Sequence, residues 1–272
     1  MAKISQITPG ERFMGIFSGY TGTGKTIAAA SFPKPMYIFD FDGRVRPIVT
    51  YYPEEVKKDI EFDTYGPHKQ RPTDIIPYGI RDMNDFKNKM EALASNCPYK
   101  TVVLDSLTAF CMTTINHMVD SRGRSGKTLG GFKVPEMEDF GGESAVIQDT
   151  LDILKVLPCH VILTAHWIIV ETKNLKTQQT ETSKQLMTGG KKIANVIPGY
   201  FDEVYNFFSF KNPMDGQVQY TVRTRGDGVT PAKTALNLPD EFEFTNGNFF
   251  DIYSKLVNAK NVNAKNVNPD HL

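Results

Sequence analysis

An α/β fold, with a mainly parallel central sheet flanked by helices and an antiparallel C-terminal extension, is what this sequence predicts. Two observations carry the prediction. Short apolar runs alternate along the chain with segments of helical period, the rhythm of a parallel sheet covered by helices. The first of these runs leads directly into the glycine-rich stretch GYTGTGKT and then IAAAS, a strand-loop-helix order. The 272 residues suit one large domain, expected over 1–256.

The expected core strands are residues 12–18, 35–39, 100–104, 160–165 and 203–210, each a nearly continuous apolar run. Two intervening segments read as helices. In one, Asp82 caps a face made by Met83, Phe86, Met90 and Leu93, with Asp85 at the capping-box offset. In the other, Val146, Ile147, Leu151, Leu154 and Leu157 form a stripe that Pro158 ends. From 217 to 250 the pattern is antiparallel, with Asn246-Gly247 as a turn before a short helix ending near Val257. Residues 257–261 and 262–266 then repeat VNAKN. A period of five suits neither helix nor strand, so 257–272 is expected to be a disordered, low-complexity tail.

Composition narrows the function classes. Hydrophobic residues at 40% and charged residues at 23% exclude a disordered or collagen-like chain. Thirty-one Lys+Arg offset 31 Asp+Glu, so any basic surface must come from local segregation. Cys97, Cys111 and Cys159 are odd in number and widely spaced, which fits neither a disulfide framework nor a zinc cluster. Residues 1–18 lack the plan of a secretory signal, and no apolar run approaches the ~20 residues that cross a bilayer. A cytoplasmic protein with no membrane partner is expected.

The strongest chemical signal is Gly19-Tyr20-Thr21-Gly22-Thr23-Gly24-Lys25-Thr26, a complete GxxxxGK[ST] phosphate-binding loop. Glycines let backbone N–H groups turn toward phosphate oxygens. The helix N-terminus adds positive potential, Lys25 reaches the β- and γ-phosphates, and Thr26 ligates Mg²⁺. ATP and Mg²⁺ are the expected ligands. Such a metal usually takes an acid from another strand end, and TVVLD supplies Asp105. Water activation is assigned to Asp42, in YIFDFDG, ahead of Asp40; the alternative is that both acids are caps or loop ligands. His166, after VILTA, suits a γ-phosphate sensor, or is a strand-end histidine satisfied locally.

In this order, the loop, the acid after the second strand, VVLDS, the polar residue after the next strand and Gly189-Gly190 resemble the RecA-like P-loop NTPase core over about residues 12–225. Among such proteins the chain is most similar to short phage-encoded RecA-like ATPases of single-strand annealing and recombination, grouped with AAA-type phage nucleotide-binding proteins. The resemblance implies that Asp42 stands where RecA has its catalytic glutamate and His166 where RecA has its sensing glutamine. No separate N-terminal polymerisation domain is expected ahead of the first strand. It implies an ATPase stimulated by single-stranded DNA, a homo-oligomer in ring or filament form, and a single-strand-binding protein as a candidate partner, in the host cytoplasm if phage-encoded.

Two basic segments, both expected as loops leaving the ligand edge of the sheet, suit that role. Residues 121–134 carry Arg122, Arg124, Lys127 and Lys133 with no acid, plus Phe132 for base stacking. Residues 171–192 carry Lys173, Lys176, Lys184, Lys191 and Lys192 against Glu171 and Glu181. The alternatives are solvated faces or, for the first segment, a lid over nucleotide. Arg223, Arg225 and Lys233 are candidates for a cation acting on a neighbouring subunit's site, or form a basic β-edge that discourages edge pairing. Tyr20 flanks the phosphates or packs on its neighbours. Two other functions share the loop: a phosphotransferase acting on a small acceptor, and a nucleotide-gated loader or scaffold without direct DNA binding.

Overall fold

A computed structural model describes residues 12–122, 126–173, 178–214, 216–245 and 248–265. In chain order the elements are β1 (Met14–Gly19), α1 (Lys25–Ala30), β2 (Met36–Asp40), α2 (Arg46–Tyr51), α3 (Glu54–Lys57), β3 (Ile60–Thr64), α4 (Met83–Ser95), β4 (Thr101–Asp105) and α5 (Leu107–Ser121). There follow β5 (Thr128–Leu129), β6 (Phe132–Lys133), α6 (Met137–Val156), β7 (His160–Ala165), β8 (Trp167–Lys173), β9 (Thr180–Leu186), α7 (Lys191–Val196), β10 (Glu203–Lys211), β11 (Val218–Arg223), β12 (Glu241–Phe244) and α8 (Phe249–Lys265).

The main sheet has the order β12-β11-β10-β1-β7-β4-β2-β3. It is parallel from β10 to β3 and antiparallel at β11 and β12. Strand alternation splits its side chains between two cores. Ile16, Phe39, Leu104 and Leu163 enter one core, closed by α4, α5 and α6 through residues such as Phe86, Phe110 and Leu151. Phe17, Ile38, Val103, Ile162 and Phe207 enter the other, closed by Ala28 and Ala29 of α1, Ile48 of α2 and Phe249 of α8. Strands buried on both faces must be apolar throughout, which is why these runs stand out in the sequence.

The α4 cap forms as expected: Asp82 Oδ1 accepts from the amides of Asn84 and Asp85, and Asp85 Oδ2 accepts from the Asp82 amide. The stripe ending at Leu157 belongs to a longer helix, α6, that starts at a second capping box of Glu136 and Asp139. Gly141-Gly142 masks that start in the sequence, and the reason for a small residue is local: a Cβ on Gly142 would lie 3.1 Å from the Met118 sulfur. Cys97 and Cys159, 62 residues apart, are neighbours with their sulfurs 3.8 Å apart as free thiols.

Two expectations change. The segment 171–192 is not all loop, since β8 and β9 pair as a hairpin from Trp167↔Leu186 to Lys173↔Thr180. Most of its side chains face solvent, so it lacks the apolar alternation that marks a half-buried strand. The C-terminal helix does not end near Val257 but continues to Lys265, where a tail was expected. Phe249, Tyr253 and Val257 recur every four residues and are buried in the second core, a helical stripe that ends where the five-residue repeat begins. The expected turn at 246–247 lies outside the described residues. Among the described residues, no helix is long and apolar enough to cross a membrane.

Phe249 sits at the centre of the second core, with ring centroids 5.0 Å from Phe17 and 5.6 Å from Phe207. Phe249→Ala is expected to cost about 3–5 kcal/mol of stability, read as a lowered urea midpoint.

Candidate active site

The phosphate-binding loop runs from the buried end of β1 into α1, and two of its glycines are fixed by space as well as backbone. Gly19 has φ 158° and a Cβ there would lie 2.3 Å from the Phe207 carbonyl oxygen. Gly24 has φ 83° and a Cβ would lie 3.1 Å from the Phe244 ring. Thr23 Oγ1 donates to the Tyr20 carbonyl at 2.8 Å, closing the loop on itself. Lys25 Nζ donates to the carbonyls of Gly19 at 3.0 Å and Tyr20 at 2.8 Å. Burial lowers the Lys25 pKa to about 8, against the opposing pull of Asp105 and Asp42.

Asp105 ends β4, and β7 lies between β4 and β1. Its carboxylate therefore receives hydroxyls from both directions: Thr26 Oγ1 donates to Oδ2 at 2.7 Å and Thr164 Oγ1 donates to Oδ1. Burial raises the Asp105 pKa, and the two hydroxyls oppose that rise. The next residue, Ser106, caps α5 by accepting from the Ala109 amide and donates from Oγ to Asp42 Oδ1 at 3.0 Å. Sequence and structure thus bring Thr26, Asp105 and Asp42 together, with Ser106 and Thr164 as unforeseen hydroxyl partners.

Asp40 has a different task. Its Oδ1 accepts from the Arg44 amide at 3.1 Å and its Oδ2 from Thr64 Oγ1 at 3.0 Å, so it ties the turn after β2 to β3. Burial pushes its pKa up to about 6. The loop-ligand reading fits Asp40, and Asp42 is the acid that lines the cleft.

His166 Nδ1 lies 3.2 Å from the Gly19 carbonyl oxygen. Burial, then the nearby Lys25 charge, lowers its pKa, so the ring is neutral at pH 7. A carbonyl can only accept, which places the ring proton on Nδ1. The His166 amide donates to Thr108 Oγ1, and its carbonyl accepts from the Met187 amide at 2.8 Å. One residue therefore touches the phosphate-binding loop with its ring and the root of the β8–β9 hairpin with its backbone.

These groups open into a cleft of about 350 Å³. Arg44, Pro47, Tyr51, Tyr220 and Phe244 also line it. None of the five carries a motif, and Tyr220 and Phe244 arrive from antiparallel strands some two hundred residues after the loop, so no local signal could reveal them. The Tyr20 ring is half exposed and lies 5.6 Å from the Lys184 ammonium, beside the β8–β9 hairpin, so the neighbour-packing reading fits it.

The basic segments are less free than their sequences imply. Arg122 pairs with Glu136 and, at 2.8 Å, with Asp139, and donates to the Val134 carbonyl. It clamps the base of the β5–β6 hairpin to α6, so this cation, expected at DNA, is engaged by acids of its own chain. Lys133 Nζ reaches the carbonyl of Asp120 at 3.4 Å. Asp120, Glu136 and Asp139, all outside or at the margin of the basic run, thus engage two of its four cations. Lys127 remains exposed, and Phe132 and Leu129, paired across the hairpin, are 79% and 74% exposed. Lys173, Lys191 and Lys192 are exposed on β8 and at the start of α7. Arg124 and Lys176 lie outside the described residues.

Arg223 pairs with Asp227 and Glu241, and Arg225 with Asp240 at 2.9 Å. Both charges are engaged within the chain, and β11, which carries Arg223, lies between β10 and β12 rather than at the sheet edge. Lys233 is exposed, and its backbone bridges to Val204.

No curated protein matches the chain. Solved structures that match include a KaiC-like protein from the hyperthermophilic archaeon Pyrococcus horikoshii OT3, 14% identical, TM-score 0.46, covering 86% of this chain and 85% of that one. Another is the flagellar accessory protein FlaH from Methanocaldococcus jannaschii, 9% identical, TM-score 0.40, covering 85% and 84%. A family profile described as an AAA domain, AAA_24, matches residues 12–236, most of the chain and every cleft residue named above except Phe244; the chain belongs to this AAA domain family.

Proposed function

We propose that the protein hydrolyses ATP with Mg²⁺ in this cleft and couples the reaction to single-stranded DNA, assisting annealing or recombination as a homo-oligomer. The observation that carries the reading is the hydrogen-bonded meeting of Thr26 with Asp105 and of Ser106 with Asp42. It joins the phosphate-binding loop, a metal-type carboxylate and a second carboxylate in one site.

The donor set suits a hard cation: a threonine hydroxyl and a carboxylate oxygen 2.7 Å apart, with triphosphate oxygens as the remaining ligands. Thr26 and Asp105 would hold Mg²⁺, which supplies charge neutralisation on the phosphates. Loop amides and the Lys25 ammonium bind the β- and γ-phosphates. Asp42, oriented by Ser106, accepts the proton of the attacking water. Tyr220 and Phe244 from β11 and β12, and Pro47 and Tyr51 from α2, supply flat apolar surface for the base.

Support for DNA coupling comes from two hairpins. Contacts of α5 with α6 run antiparallel, from Met118 on Gly142 to Arg122 on Asp139, so the β5–β6 hairpin stands at the joined ends of these helices. The Glu143 carboxylate of α6 accepts from the Gly189 amide at 2.9 Å, which joins the end of the second basic segment to the same helix. Phe132 and Lys127 on one hairpin and Lys173 on the other offer a stacking ring and phosphate cations. A single-strand-binding protein is the candidate partner for this activity. A second reading, a nucleotide-gated loader, is favoured by the exposed apolar row of Leu129, Phe132 and Met137, which would equally suit a protein contact.

Asp42→Asn is expected to bind ATP like wild type and lower kcat by about 10²–10⁴-fold, measured by phosphate release; an unchanged kcat removes its role as base. Nucleotide affinity is expected to fall as pH rises through about 8, because free Lys25 loses its proton there while the phosphate-bound form retains it. Calorimetry across that range checks this, with Lys25→Met flattening the profile. The double variant Lys127→Ala, Phe132→Ala is expected to weaken single-stranded DNA binding by about tenfold or more and to make its salt dependence shallower. Unchanged DNA binding with lost binding of a protein partner would select the loader.

A further inference from the structure

We infer that Arg44 is a phosphate ligand acting in cis, contacting the γ-phosphate end of a nucleoside triphosphate bound in the same chain. This rests on the nucleotide-binding reading above and assigns the cation that completes the site.

Three observations converge on this residue. Arg44 is the arginine among those lining the cleft, where Lys25, Asp42, Asp105 and His166 also stand. Its side chain is exposed and has no hydrogen-bond or ion-pair partner among the described residues, whereas Arg223 and Arg225 are each paired with acids of their own chain. Its backbone, by contrast, is held firmly. Gly43 turns the chain at φ 65°, and the Arg44 amide donates to buried Asp40, whose other oxygen is bound by Thr64. A rigid anchor thus presents an unpaired guanidinium on the cleft wall.

Charge and position specify what it meets. Lys25 and Arg44 balance Asp42 and Asp105, while His166 is neutral. A triphosphate adds negative charge even with its divalent cation, and an arginine fork matches phosphate oxygens in geometry. Arg44 lies two residues after Asp42, the acid assigned to the attacking water, while the flat surfaces for the base come later on α2, at Pro47 and Tyr51, and on β11 and β12, at Tyr220 and Phe244. The arginine therefore belongs to the phosphate end of the ligand.

The test compares wild type, Arg44→Ala and Arg44→Lys by calorimetric titration with ATP and with ADP in EDTA, alongside steady-state turnover with Mg²⁺. Arg44→Ala is expected to lose about tenfold or more in ATP affinity with a much smaller loss for ADP, and to lower kcat; Arg44→Lys regains part of the affinity. Unchanged urea midpoints separate this from a folding defect. Mixing Arg44→Ala chains with Lys25→Ala chains is expected to restore no turnover, because each site lacks one of its own cations. Recovery on mixing, equal losses for ATP and ADP, or wild-type behaviour of Arg44→Ala would each overturn the assignment. If Lys25→Ala binds ATP as well as wild type does, the nucleotide reading itself fails; a Lys25-dependent site indifferent to Arg44 overturns only this inference.

Discussion

The site depends on one buried carboxylate. Asp105 is 5% exposed, and a charge so placed is costly unless it is bonded on several sides. Thr26 and Thr164 supply those bonds from the elements flanking the cleft, one from α1 and one from β7. Because β7 runs between β1 and β4, the same carboxylate fixes the distance from the phosphate-binding loop to the acidic strand. Ser106 extends the arrangement to Asp42, so that the turn after β2 and the start of α5 share one hydrogen-bond system.

Rigidity beneath that system comes from the sheet. Parallel strands with apolar side chains on both faces hold the strand ends in register, and every polar group of the site leaves from the same edge. The aromatic core around Phe17, Phe207 and Phe249 adds a second constraint. It brings β11 and β12 alongside β10, and through them seats Tyr220 and Phe244 beside Gly24. The absence of a side chain at Gly24 is thus both a backbone requirement and the condition for the aromatic wall to approach.

His166 links this edge to the surface. Its ring contacts the Gly19 carbonyl, and its own carbonyl anchors Met187 beyond the β8–β9 hairpin. A shift of the phosphate-binding loop would be felt directly at the hairpin's root, and Lys184 above the Tyr20 ring gives the same two elements a second contact. The position of a basic hairpin against the nucleotide loop, rather than its charge alone, gives the coupling proposal its physical content.

Much of this was legible in the amino-acid order. Continuous apolar runs marked β1, β2, β4, β7 and β10 because strands buried on both faces leave no room for polar alternation, and Asp82 with Asp85 marked the start of α4. GYTGTGKT, Asp105 and Asp42 were legible because phosphate and metal chemistry demands particular residues at short spacings. The sequence could not reveal that Arg122 faces Glu136 and Asp139, that Asp40 serves the turn while Asp42 faces the cleft, or that Cys97 meets Cys159. Nor could it show Tyr220, Phe244 and Arg44 on one cleft wall or another. Local spacing encodes what neighbours along the chain do together. Which charges neutralise each other and which rings share a cavity depend on contacts between distant segments, and those exist only once the sheet has set its strand order.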